Sequence, residues 1–143
     1  MNEKALPPEI QEEDGHGLPE IPCLSEEDLI RKQRADPELK EVIDYLESNN
    51  KPANMKFHLP AVTLWMRQWN KLELKNGLLY RKRMDGDKVL NQLALPEDLR
   101  GIVLTSLHDD MGHLGLERTL DLLRSRFYWP KMAADVDKKI KRC

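Results

Sequence analysis

Cysteine is scarce in this sequence of 143 residues: Cys23 and Cys143 stand near opposite ends. Two cysteines so placed exclude a disulfide-framed secreted scaffold and point to a reducing compartment. No run of about 18 apolar residues occurs, so no helix of the sequence is suited to span a bilayer. The N-terminus MNEKALPPEIQEEDGHGLPEIP lacks the basic and then apolar pattern of a signal peptide. Catalytic carboxylate constellations are also missing. Asp109 and Asp110 are adjacent, and Asp135 and Asp137 flank an apolar Val136. Neither pair offers the separate, convergent groups that hold two metal ions about 3.5–4 Å apart, and helix faces and caps explain them better.

What is present suits a soluble globular protein of one ordinary domain or two very small ones, with 40% hydrophobic and 34% charged residues. The net charge of −2 conceals a gradient: residues 1–50 carry −9, residues 51–113 carry +3 and residues 114–143 carry +4. An acidic head and a basic tail meet different partners, and only the tail is a plausible nucleic-acid surface. The plainer reading of the same charges is solvation of helix faces, since an excess of four is modest.

Residues 1–24 are acidic and proline-rich without apolar period, and read as a flexible tail. Ser25-Glu26-Glu27-Asp28 is a capping box that opens a short helix to about Arg34. Asp36-Pro37 caps the next, in which Leu39, Val42, Ile43 and Leu46 fall on one face before Asn49-Asn50 ends it. A helix is expected around Ala61 to Trp69. Asn76-Gly77 and Asp85-Gly86, each flanked by alternating apolar residues, predict two hairpin turns and about three short strands. Trp65, Trp69, Leu72, Leu79 and Tyr80 have the spacing of core residues more than of a base-stacking platform.

From Leu95 the period is helical. Pro96-Glu97-Asp98 opens a helix carrying Leu99, Ile102, Val103 and Leu107 toward His108, and a break is expected at Asp109 to Gly112. A second helix starts near Leu114, with Leu116, Leu120, Leu123 and Phe127 on one face, and Trp129-Pro130 stops it. In the last helix Met132, Val136 and Ile140 form the buried stripe, and Cys143 returns to within about 20° of Met132's face.

His108 and His113 therefore precede a leucine-rich helix, with a distant inward cysteine. Structural zinc takes four nitrogen or sulfur ligands in a tetrahedron, commonly two from each of two local turns. A histidine pair and one cysteine supply three. The fourth is expected about three residues after Cys143, in a Cys-x-x-Cys knuckle; Cys23 lies in the acidic head, His16 and His58 have no spacing relation to the pair, and water is the readier substitute.

The pattern H-x4-H-x29-C, with GHLGLERTLDLLRSRFYWPKM, resembles the HHCC zinc-binding domain of integrases from gypsy-type long-terminal-repeat retrotransposons and retroviruses. The resemblance covers about residues 95–143. Upstream, Pro37 to Leu46 and the Leu72-to-Arg83 hairpin resemble the segment between ribonuclease H and integrase in such polyproteins. The resemblance implies an α+β, mostly helical chain: a C-terminal helical bundle with a helix-turn-helix (95–143), preceded by a small helical and antiparallel β-hairpin extension (25–94). It implies zinc held by His108, His113, Cys143 and one further cysteine, with the catalytic core beyond residue 143. Singly, each of these three residues would read as an ordinary polar group or a small hydrophobe; in this order and spacing they read as a metal site.

The function expected is that of a non-catalytic N-terminal part of a retrotransposon-type integrase, not an enzyme in itself, that engages retroelement DNA ends weakly and assembles as a homo-oligomer in DNA integration. Phosphate contacts are assigned to Arg118, Arg124, Arg126, Lys138, Lys139, Lys141 and Arg142. The alternative is a host-adopted, integrase-derived module that binds a protein partner through the acidic head and apolar helix faces. A nuclear location is expected, with a cytoplasmic pool allowed, and no membrane partner.

Overall fold

The computed structural model describes residues 24–53, 60–106 and 108–142, with the side chains of residues 108–114 and 142 outside that description. Residues 1–23 of the expected tail, with His16 and Cys23, and His58, Leu107 and Cys143 lie outside it.

Local signals set the first two helices. Helix α1 (Glu26–Ala35) starts at Ser25, whose hydroxyl accepts from the Asp28 N–H while the Asp28 carboxylate accepts from the Ser25 N–H. Helix α2 (Pro37–Ser48) is capped by Asp36, which accepts from the N–H groups of Glu38 and Leu39, and it ends at Asn49 in the left-handed region. The other oxygen of Asp36 accepts from the Glu97 N–H at 2.9 Å. One carboxylate thus caps two helices that lie 61 positions apart in sequence. The short helix α3 (Pro60–Met66) gives way to a 3₁₀ turn over Trp69–Lys71, so the expected helix to Trp69 is cut short.

Strands β1 (Leu72–Lys75), β2 (Leu78–Asp85) and β3 (Lys88–Ala94) pair antiparallel in sequence order. Between β1 and β2, Asn76 and Gly77 both take positive φ, 53° and 84°, the backbone that a two-residue turn needs to match strand twist. Helix α4 (Glu97–Ser106), helix α5 (His108–Arg124), strand β4 (Phe127–Tyr128) and helix α6 (Met132–Arg142) follow. The described residues are α+β, with six α-helices and one sheet in the order β1-β2-β3-β4.

Three further sequence expectations are corrected. Phe127 does not continue the helical stripe of Leu116, Leu120 and Leu123; it belongs to β4, which pairs parallel with β3 and adds a fourth strand. The Ser125 hydroxyl donates to the Leu122 carbonyl as the helix ends. The Leu93 N–H then donates to the Arg126 carbonyl and the Leu95 N–H to the Tyr128 carbonyl, at 2.8 and 3.1 Å, which satisfies an otherwise open strand edge. Ile102 is 44% exposed, and Leu104 takes the inward position beside Leu99 and Val103. The helix expected to start near Leu114 runs on from the non-helical Gly115, and a further helical segment from His108 precedes it. The break expected over Asp109 to Gly112 falls at Gly115.

The core is continuous across the chain. Leu39, Ile43, Trp65 and Leu79 share one hydrophobic cluster with Leu95, Leu123, Trp129 and Val136. Trp65, Leu72 and Leu79 are buried there, and Trp69 and Tyr80 pack against it, as core spacing requires. Gln33, fully buried, stitches the sheet: its Nε2 donates to the carbonyls of Leu79 and Ala94, and its Oε1 accepts from the Leu79 N–H. These groups lie just beyond the last β2–β3 pair, Tyr80↔Leu93, so the side-chain amide extends the ladder where the strands part.

Candidate metal centre and basic surfaces

Helix α5 carries both histidines in its first segment, ahead of Gly115. Gly115 has φ 80° and ψ 173°, a backbone region open essentially to glycine. Its carbonyl accepts from the hydroxyl of buried Thr119 at 2.7 Å. Beyond the kink the chain is helical to Arg124 and buries Leu120 and Leu123.

The chemistry of the candidate donor set, two imidazoles and a thiolate, fits zinc. Positions five apart on a regular helix stand about 140° apart around its axis. A shared ion at His108 and His113 therefore requires the segment before Gly115 to turn out of regular helix. Among the described residues no group of three His, Cys, Asp or Glu side chains gathers to hold a metal.

The segment after α5 is fixed by its aromatics. Trp129 is buried, and its Nε1 donates to Asp135 in the first turn of α6 at 2.8 Å. The Arg100 guanidinium lies 5.7 Å from the Trp129 ring centre, with Nε donating to the Leu95 carbonyl. Burial pushes the Arg100 pKa down, and the carboxylates of Glu38, Asp36, Glu97 and Asp135 oppose that.

The cations assigned to phosphate contact divide into two places. On α6, Lys138 and Lys141 are exposed, and at about 100° per residue they fall away from the Met132–Val136 stripe. Lys141 pairs with Asp137 at 3.1 Å. Lys139 lies at the flank of the buried stripe and is half-buried. Arg142 ends the helix. Arg118 is exposed on α5, and Arg126 is half-buried in the turn after it.

Arg124 belongs elsewhere. With Arg81, Arg83 and Lys131 it lines a cleft of about 400 Å³ between the sheet and the start of α6. Sequence reasoning missed Arg81, Arg83 and Lys131 as partners of Arg124, because the grouping exists only once β4 joins β3. The one local signal was Arg81-Lys82-Arg83, which alternates so that two arginines share a strand face.

Residues 95–143 match the family model of the integrase zinc binding domain. No curated protein matches the chain. The matched segment begins at Leu95, the residue whose N–H closes β3 onto β4. Its Gly112-His113-Leu114-Gly115 motif holds the kink at the last glycine, and its Phe127-Tyr128-Trp129-Pro130 motif supplies the parallel strand and the buried indole. The matched domain is a zinc-binding one, not a catalytic one.

Proposed function

We propose that this chain is the non-catalytic N-terminal part of a retrotransposon-type integrase, a zinc-stabilised module that engages DNA ends and supports multimer assembly in the nucleus. The observation that carries this reading is the match of residues 95–143 to the integrase zinc binding domain. In this reading His108, His113 and Cys143 hold zinc, which supplies a cross-link between the start of α5 and the end of α6. The short reversal through β4, after which α6 packs back on α5, favours such a link. The outer face of α6, with Lys138 and Lys141, and exposed Arg118 offer phosphate contacts without base readout.

Binding of the purified chain to a labelled duplex tests the reading. Counterion release makes affinity fall steeply between about 50 and 200 mM salt, with similar affinity for any sequence. Replacing Lys138, Lys139, Lys141 and Arg142 by alanine flattens the salt slope. Undetectable duplex binding at low salt, with zinc present, overturns the DNA-engaging role.

A further inference from the structure

The cleft lined by Arg81, Arg83, Arg124 and Lys131 gathers four side-chain cations, and none of the described residues lining it is a carboxylate. Like charges brought together without a counter-charge destabilise one another, so such a grouping calls for an anion. Among the described residues Arg81 is held by neutral groups only: its Nε donates to Gln68 Oε1 and its Nη1 to Gln92 Oε1, at 2.8 and 2.7 Å. Its guanidinium lies 4.5 Å from the Tyr128 ring centre. Burial lowers the Arg81 pKa and the neighbouring charge of Arg83 lowers it further, with Tyr128 opposing.

The geometry is built in advance. Gln92 is 1% exposed; its oxygen holds Arg81 while its nitrogen donates to the Arg124 carbonyl at 2.8 Å. One buried amide therefore fixes the strand arginine and the backbone of the helix arginine. Lys131 is held in the left-handed region, φ 66°, at the same cleft, a conformation that costs a non-glycine residue free energy. Arg83, Arg124 and Lys131 form no ion pair with a described residue.

We infer that this cleft is a phosphate-binding site, in which guanidinium forks and the Lys131 ammonium surround a phosphate group. The phosphate comes either from a nucleic-acid backbone or from a small multiply phosphorylated solute. For the nucleic-acid source the inference rests on the DNA-engaging reading above; for the small solute it stands independently.

The experiment uses the full chain, a short fluorescein-labelled duplex followed by anisotropy, and pyrophosphate followed by calorimetry. The cleft variant is Arg83→Gln with Lys131→Asn, chosen because neither side chain pairs with a described residue and asparagine tolerates the left-handed backbone. Arg83→Lys retains the charge, and Lys138→Ala with Lys141→Ala probes the outer face of α6 separately. Matching melting curves establish that the variants fold. The expected result is binding by the wild type that weakens about tenfold or more in the cleft variant and recovers largely in Arg83→Lys. Pyrophosphate displacing the duplex assigns the cleft to backbone phosphate and supports both readings. Cleft-dependent pyrophosphate binding without duplex binding supports the cleft and overturns the DNA role. Wild-type and cleft-variant chains that bind both ligands equally, or a wild type that binds neither, overturn the cleft. A loss of duplex affinity confined to the α6 variant then leaves the DNA role standing.

Discussion

Gln33 does the work of a peptide group from within a side chain. It makes three hydrogen bonds to the backbone of Leu79 and Ala94 in a fully buried setting, so no water replaces it if it is lost. Gln33→Met keeps the volume and removes both donor and acceptor, which leaves one N–H and two carbonyls without these partners. Stability should fall by about 2–4 kcal/mol in urea unfolding; a loss below about 1 kcal/mol would show that the sheet end closes without the amide. Asp28 offers a gentler test, through pH. Its hydrogen bonds with the Ser25 backbone and hydroxyl hold its carboxyl below the ordinary value. A lowered carboxyl pKa stabilises the fold when the group is ionised, fully above the ordinary value of 3.8, and the effect is lost as pH falls through the lowered value. Asp28→Asn should therefore lower the melting temperature at pH 7, with the gap to wild type closing in acid. A gap that is constant with pH would mean that the carboxylate charge contributes nothing to the cap.

At the scale of elements, the kink in α5 shows where local signals end. The sequence contains two glycines close together, Gly112 and Gly115, and spacing alone does not tell which takes the glycine-only backbone. Gly115 does, and its carbonyl accepts from the Thr119 hydroxyl one turn later. A Cβ added at Gly115 meets nothing within 4 Å, so the cost of Gly115→Ala is backbone strain alone. We expect about 1–3 kcal/mol, read by chemical denaturation. An alanine variant as stable as wild type would show that the kink relaxes into continuous helix. The caps at Ser25 and Asp36 and the Asn76-Gly77 turn were legible because each is decided by three or four neighbouring residues. Phe127-Tyr128 was not: its sequence continues a helical leucine stripe, and only the open edge of β3, whose paired residues lie 34 positions earlier, draws it into a strand. Gln33 and the Arg81–Arg124 cleft escaped for the same reason. The histidine pair was legible as chemistry, from residue type and spacing, while its geometry depends on how the segment before Gly115 meets the end of α6.

Over the whole molecule, residues 95–142 and the residues before them form one packed unit. Asp36 caps α4, Gln33 holds Ala94, β4 completes the sheet, and Val136 shares a cluster with Leu39 and Ile43. A ligand that binds only the folded state stabilises everything that unfolds with its site, by about 2.7 kcal/mol at a hundred times its dissociation constant. Zinc should therefore raise the stability of residues 24–94 as much as that of residues 95–143, although every candidate ligand lies in the latter. Hydrogen exchange with and without zinc makes the test. Protection should rise together at the amides of Leu79, Leu93 and Leu123, and calorimetry should show a single transition that a chelator moves to lower temperature. His113→Ala should abolish the zinc-dependent shift while the same single transition persists. Lower pH should abolish it too, since the histidines must be neutral and the cysteine a thiolate to bind metal. If zinc instead protects Leu123 and leaves Leu79 unchanged, or if two transitions separate, the shared core does not couple the two parts and the metal stabilises only its own helices. If zinc changes neither, with His113→Ala indistinguishable from wild type, the histidines are not ligands in this chain.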